Sequence, residues 1–345
     1  MVYKYIRKSA IPEDDEEAIE NLLCRFHIKS GFINFISLIS GELKRQYLRG
    51  TPYQGKKQLK KETVLVRGAT SGMGKAAASE FASRGAHVIM ACRDIEAGQK
   101  IAQEIQKKTN NTNMTALHCD LSSLDSVRKF VEEFKKCESQ LHILINNAGV
   151  MMCPKTLSTD KFEMQFAVNY LGPFLLTHLL LDTMKASAPT HIVNITAHAH
   201  QLGSINFDDL NHDEDYNPGH AYAQFKLAVA MFTITLVKYL EGSQVIVNCI
   251  NPGIINTNLY CHMPFRAHSF INMCFSSFIW YMFQKPEDGI NTMMFCALED
   301  ALGNTSGKYF VECCPVNWHE TTQDEDIQKK LWEESLKWAD LKLKS

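Results

Sequence analysis

Between residues 62 and 250 the chain alternates short runs of β-branched and apolar residues with stretches of helical length. No other feature restricts its fold so tightly. The apolar runs are 63–66, 87–90, 116–118, 141–145, 191–195 and 245–250, and the segment after Met73 and the amphipathic 96–108 carry helical spacing. Strands that are apolar on both faces, each followed by a helix, predict a parallel sheet covered on two sides. The expected fold class is α/β, a single doubly wound Rossmann domain over residues 61–345, preceded by an N-terminal appendage of residues 1–60. With 345 residues and 45% apolar side chains, one large domain has ample material for its core.

The first predicted strand runs into Gly68-Ala-Thr-Ser-Gly72-Met-Gly74 and then into a predicted helix. Glycines at these positions let backbone approach a pyrophosphate, and the N–H groups and dipole of the helix N-terminus favour its charge. The GxxxGxG spacing between strand and helix is far more specific than an isolated glycine match. At the end of the second predicted strand stands Arg93, in Ala91-Cys-Arg-Asp94. A guanidinium there suits the 2′-phosphate of NADP and makes NADP a better cofactor than NAD, whereas Asp94 offers a carboxylate for the ribose or an ion pair with Arg93.

Tyr222 and Lys226 lie four residues apart in Ala221-Tyr-Ala-Gln-Phe-Lys226. On a helix they share a face, so the Lys226 ammonium can favour the Tyr222 phenolate and create a proton donor and acceptor usable near neutral pH. With Asn146-Asn-Ala-Gly149 and the glycine turn, the pattern points to hydride transfer. The chain here resembles the short-chain dehydrogenase/reductase family, and within it the retinol dehydrogenase branch, from about residue 62 to about 341. Further similarity to the branch lies in Leu144-Ile-Asn-Asn-Ala-Gly-Val-Met-Met152, Phe162-Glu-Met-Gln-Phe-Ala-Val-Asn-Tyr-Leu-Gly172, Phe207-Asp-Asp-Leu-Asn211, Asn251-Pro-Gly253 and Ser306-Gly-Lys-Tyr-Phe310.

The resemblance implies Tyr222 as acid or base, Lys226 as the cation that acidifies it and holds the nicotinamide ribose, and Asn169 as support for a proton-relay water. It also implies a cofactor site formed by Gly68, Ser71, Gly72, Met73 and Gly74 at the turn, with Arg93 at the second strand. Asp120 and Leu121 would line the adenine, Asn147, Ala148 and Gly149 the adenosine side, and Pro252, Gly253 and Thr257 the nicotinamide. One catalytic position departs from the family. Relatives place a serine where Asn194-Ile-Thr-Ala197 puts Ala197. Thr196 keeps a hydroxyl, but neighbours on a strand point to opposite faces. His198 or His200 could supply an N–H instead, or could be loop residues bonded to backbone. Arg67 stands where relatives have threonine, able to steer phosphate or to crowd the cofactor. Phe225 replaces a small serine, as rim packing or as a wall for an apolar substrate.

The lead expectation is an NADP-dependent enzyme interconverting a lipophilic alcohol and its aldehyde or ketone, of retinol/retinal type, with activity reduced by Ala197. The alternative is a catalytically impaired nucleotide-binding relative acting as redox sensor, scaffold or lipid carrier. A carbonyl reductase of steroids, polyprenoid aldehydes or xenobiotics would share every motif. An aromatic and methionine-rich stretch at 269–283, within a substrate cap near 258–285, suits a long hydrocarbon or ring substrate, or is a helix packed on the core. Residues 326–342 read as a capping helix.

The net charge of −2 gives no chain-wide basic surface, which removes nucleic acid as a partner. Eleven cysteines without a CxxC pair read as reduced thiols. The appendage holds an acidic cluster at 13–17 and an apolar run at 31–39, about half the ~20 residues that span a bilayer. That run reads as an interfacial helix making peripheral membrane contact, helped by Lys44, Arg45, Arg49, Lys56, Lys57, Lys60 and Lys61, or as a helix packed on the protein's own surface. The expected location is intracellular, at an endoplasmic reticulum or mitochondrial membrane, and cytoplasmic otherwise. Relatives often pair through helices beside the active site, so the resemblance also allows a homodimer.

Overall fold

Each of the six apolar runs becomes a strand: β1 (Thr63–Arg67), β2 (His87–Cys92), β3 (Met114–His118), β4 (Ile143–Asn146), β5 (Thr190–Ile195) and β6 (Val245–Asn251). Two short strands absent from the sequence reading follow, β7 (Tyr309–Val311) and β8 (Cys314–Val316). Their tight turn places Glu312 and Cys313 at φ 52° and 60°, the left-handed pair that matches strand twist in a two-residue hairpin. In the computed structural model, residues 53–255, 257, 259 and 284–341 are described, and all belong to one unit, Gly50–Ser345. The acidic cluster, the apolar run at 31–39 and the stretch at 269–283 lie outside the described residues.

The sheet order is β3-β2-β1-β4-β5-β6-β7-β8, parallel throughout except for β8. The chain winds outward from β1 to β3 and then returns to lay β4 against β1. That reversal opens a crevice beyond the carboxyl ends of β1 and β4, where ligands of such sheets bind. Gly68 follows one of these strands and Asn146 ends the other, so the two motifs meet there.

Among the described residues, seven helices of eight residues or more cover the sheet: α1 (Gly72–Ser83), α2 (Ile95–Thr109), α3 (Leu124–Cys137), α4 (Met164–Ala186), α5 (Pro218–Tyr239), α6 (Asn291–Leu298) and α7 (Glu325–Trp338). Strand residues alternate between two cores. Leu65 faces α3, α4, α5 and α7, whereas Val64 and Val66 face α1, α2 and α6. Both α4 and α5 are long and apolar enough to cross a membrane by composition, yet they are mostly buried within the fold. Trp332 of α7 packs on Phe174, His178 and Tyr239 with ring centroids 5.6, 4.9 and 5.4 Å away, closing the core over α4 and α5.

The packing also takes in residues ahead of Lys61. Leu59 is buried, Lys57 pairs with Asp300 at 2.8 Å, and the Tyr53 ring meets Phe295 edge-on at 6.2 Å. All described cysteines are free thiols.

Candidate active site

The glycine turn is built for close approach. Gly68 sits at φ 69°, and a Cβ there would lie 2.8 Å from the Ala148 Cα, so the turn and the Asn147-Ala148-Gly149 loop touch backbone to backbone. A Cβ on Gly74 would collide with the Gly68 carbonyl oxygen, and Asn147 Nδ2 donates to the Arg67 carbonyl at 3.2 Å. Gly74→Ala is therefore expected to destabilise the protein by about 1–3 kcal/mol, because only backbone could move aside. Thermal melts with and without NADPH should show both a lower melting temperature and a smaller shift on adding cofactor.

Helix α1 begins at this turn without a cap. The exposed Ser71 side chain makes no capping bond, and no acidic residue occupies the first turn. By contrast α2, α3, α5 and α7 are capped by Asp94, Ser123, Asn217 and Asp324. The leading N–H groups of α1 are thus left for an anion. Thr257 packs its Cγ2 where a Gly72 side chain would be, and Gly253, at φ 82°, donates its N–H to Asn251 Oδ1 at 3.0 Å. These contacts bring the Pro252–Thr257 loop to the turn. Met73 reaches the same region, with its Sδ beside Gly289.

At the end of β2, Asp94 Oδ1 accepts the Ala97 N–H at 3.0 Å and caps α2. Its carboxylate is engaged. Arg93 stands exposed, with no ion pair among the described residues. Asp120 Oδ1 accepts from both the N–H and the hydroxyl of Ser122, at 2.9 and 2.7 Å, and Leu121 is buried beside it. The backbone after β3 is thereby fixed against the start of α3, where Ser126 also accepts the Asp120 N–H at 2.9 Å.

Asn169 lies in a π-helical segment, Ala167–Leu171, at the head of α4. Single π-turns inside helices frequently mark functional sites. Its Oδ1 accepts the Val150 N–H at 2.7 Å and its Nδ2 donates to the Val150 carbonyl at 2.8 Å. The amide thus clamps the residue after Gly149. One oxygen lone pair and one N–H remain for a water.

Tyr222 and Lys226 share one face of α5, with Nζ 5.6 Å from the phenol ring centroid. Lys226 Nζ donates to the Ile195 carbonyl at 3.1 Å, which fixes the ammonium at the end of β5. Burial pulls Lys226 down to about 8. Because its folded-state value lies below the ordinary lysine value of 10.5, the buried charge opposes folding below about pH 8. That penalty is relieved as pH rises from about 8 toward 10.5. Lys226→Met should lose this alkaline gain, so its melting temperature should rise less than that of the wild type from pH 8 to 10.

Around the missing serine the candidates separate. Thr196 Oγ1 donates to the Lys226 carbonyl at 3.0 Å and is buried. Ala197, extended at φ −152°, therefore turns to the other face. His200 is fully buried, its Nδ1 2.7 Å from the Ala197 carbonyl and its ring edge-on to Tyr309 at 5.2 Å. Burial lowers it to about 4, leaving a neutral ring inside the fold. Neither of the rim readings holds for Phe225. It is 2% exposed and packs edge-on against Tyr222 at 5.0 Å, as a core residue beneath the phenol.

One group went unnoticed in the sequence. Gln165 Oε1 accepts the Met152 N–H at 2.9 Å, and its Nε2 donates to the Tyr216 hydroxyl and the Pro218 carbonyl, both at 3.1 Å. Tyr216 donates to the Cys153 carbonyl at 2.8 Å. The cluster ties the loop after Gly149 to the start of α5, and so sets where Tyr222 stands relative to Asn169. Its sequence signal was the polar pair of Glu163 and Gln165, at the N-cap and in the first turn of α4.

A model of the family described as short chain dehydrogenase matches residues 62–263. The chain belongs to that family. It is 40% identical to human (Homo sapiens) retinol dehydrogenase 13 over 304 residues, covering 88% of this chain and 92% of that one. It is 41% identical to Bos taurus retinol dehydrogenase 12 over 307 residues, covering 88% and 94%. Among solved structures, the Pseudomonas aeruginosa RhlG/NADP active-site complex shares the fold at a TM-score of 0.59 and 22% identity, over 75% of this chain and 96% of that one. The protein is accordingly an oxidoreductase of the short-chain dehydrogenase family. The glycine cradle and the uncapped α1 fit the diphosphate of a nicotinamide dinucleotide.

Proposed function

We propose that the protein is an NADP-dependent oxidoreductase that interconverts a lipophilic alcohol and its aldehyde or ketone, with turnover lowered by Ala197. The observation that carries this reading is the Tyr222–Lys226 pair on one face of α5, with Nζ 5.6 Å from the phenol ring centroid and held by the Ile195 carbonyl at the end of β5. The cradle at Gly68, Gly72 and Gly74, the N-terminus of α1, the Asn147–Gly149 loop and the Pro252–Thr257 loop would hold the dinucleotide. When bound, that cofactor supplies or accepts the hydride.

Tyr222 would give its hydroxyl proton to the carbonyl oxygen in reduction and take it back in oxidation. The charge left on the phenolate is stabilised by the Lys226 ammonium, which the Ile195 carbonyl holds in place. Asn169 holds the loop beyond Gly149 and retains capacity for one water. A serine hydroxyl would normally polarise the substrate oxygen, and here the methyl of Ala197 does not.

The NADP preference rests on Arg93, exposed after β2 and without an ion pair among the described residues, while Asp94 caps α2. Arg93→Ala is expected to weaken NADPH binding about 10- to 100-fold, the worth of a charge-assisted pair, and to leave NADH binding unchanged. Fluorescence titration of both cofactors decides it, and equal losses for the two would remove the assignment. The lipophilic substrate is supported by relatives that bear the name retinol dehydrogenase. Purified protein that binds NADPH but never oxidises it with retinal or any apolar aldehyde would count against an enzyme.

A second reading is favoured by one specific observation. The Thr196 hydroxyl is bound to the Lys226 carbonyl and His200 is fully buried with its Nδ1 at the Ala197 carbonyl, so neither replaces the missing serine. A nucleotide-binding relative with little turnover, working as sensor, scaffold or lipid carrier, fits that arrangement.

A further inference from the structure

We propose that Arg67 is an anion-binding residue of the dinucleotide cleft, a buried guanidinium whose free N–H donors engage the cofactor's diphosphate. The inference rests on the dinucleotide-binding reading above and extends it to a residue foreign to the glycine motif.

Arg67 is the last residue of β1 and directly precedes Gly68. Its carbonyl is tied to Asn147, so its backbone is anchored at the strand reversal that opens the crevice. By strand alternation its side chain shares the sheet face of Leu65, the face that also carries Cys119 and Leu121. The side chain is 1% exposed, and Nε and Nη1 meet no hydrogen-bond partner among the described residues.

Among the described residues no carboxylate balances this charge. The charged or ionisable groups within electrostatic reach are Cys119 and Lys226. Burial pushes the Cys119 thiol up to about 12, so it is neutral near pH 7, and Lys226 is a second cation. Arg67 itself, lowered by burial to about 9, stays charged near neutrality. Two buried cations without a counter-charge are expensive to hold in a ligand-free fold. A bound diphosphate supplies the missing negative charge, and the forked guanidinium can meet two of its oxygens at once. The uncapped N–H groups of α1, which starts five residues on in sequence, favour an anion at the same turn. A guanidinium that merely crowded the cleft would have the opposite signature, since its removal would tighten binding.

The test compares wild type with Arg67→Met, Arg67→Thr and Arg67→Lys by thermal shift and calorimetry, using inorganic pyrophosphate and NADPH as probes. Pyrophosphate should raise the melting temperature of the wild type, and Arg67→Met should abolish that rise. NADPH affinity should fall about 10- to 100-fold in Arg67→Met, with a shallower salt dependence, and recover in part in Arg67→Lys. Ligand-free Arg67→Met should melt no lower than the wild type, because an unpaired buried charge is gone. Should the methionine variant fail to fold, the threonine and lysine variants carry the comparison. Unchanged or tighter binding of both probes in the variants overturns the proposal, as does a wild type insensitive to pyrophosphate. Pyrophosphate binding that needs Arg67, in a protein that never oxidises NADPH, would sink the enzymatic reading and leave this one standing.

Discussion

Tyr222→Phe is expected to lower turnover with any accepted carbonyl substrate by about 10²–10⁴-fold, the usual worth of a positioned proton donor. The substitution removes only the hydroxyl. The ring that packs edge-on against Phe225 at 5.0 Å stays, so the fold should survive, and thermal melting should confirm it. Lys226 lies 5.6 Å from the ring and keeps its bond to the Ile195 carbonyl. NADPH affinity is accordingly expected to hold while kcat falls. Measuring kcat and the NADPH dissociation constant separately distinguishes loss of the proton donor from a damaged cofactor site. Retained turnover in Tyr222→Phe would mean that the proton comes from elsewhere, and the assignment of the pair would fail.

Ala197→Ser should act in the other direction, raising turnover by about 10²-fold, since one preorganised donor to a developing oxyanion is typically worth 10²–10³. The backbone at 197 is already extended, at φ −152° and ψ 166°, so a serine needs no rearrangement. Thr196 cannot substitute, because its hydroxyl is bound to the Lys226 carbonyl on the opposite face. Steady-state kinetics of the variant with NADPH and retinal provide the check. A serine that brings no gain would favour the nucleotide-binding sensor or carrier, because a competent site lacking only this donor must respond to it.

The two variants also bear on each other. In Ala197→Ser/Tyr222→Phe the gain from the serine should disappear, since polarising the carbonyl helps only when a proton follows. Groups that act as a unit are strongly non-additive. A gain that persists without the phenol would indicate a different acid.

Much of this architecture was legible in order along the chain. The two-residue and 3.6-residue periods of apolar side chains are local properties, so strands β1 to β6 appeared within a few residues of their observed bounds. The glycine turn and the Tyr222–Lys226 spacing were equally local, because backbone freedom and helical pitch are set by neighbours in sequence. β7 and β8 escaped notice because three-residue strands are too short to display a period.

Commitments made across long sequence separations were decided by the tertiary structure alone. Whether Phe225 lined a rim or a core depended on how α5 lies against α4, which no local pattern encodes. His200 could have faced the crevice, and it turns inward against Tyr309 and Trp318, which come from more than a hundred residues away in sequence. Arg67 looked ambiguous in sequence, and its lack of a hydrogen-bond partner for Nε and Nη1 among the described residues emerged only once the sheet β3-β2-β1-β4-β5 was assembled around it. Sequence set the local geometry of the chain because bonded neighbours fix it, whereas the state of each polar group waited on partners that only folding brings within reach.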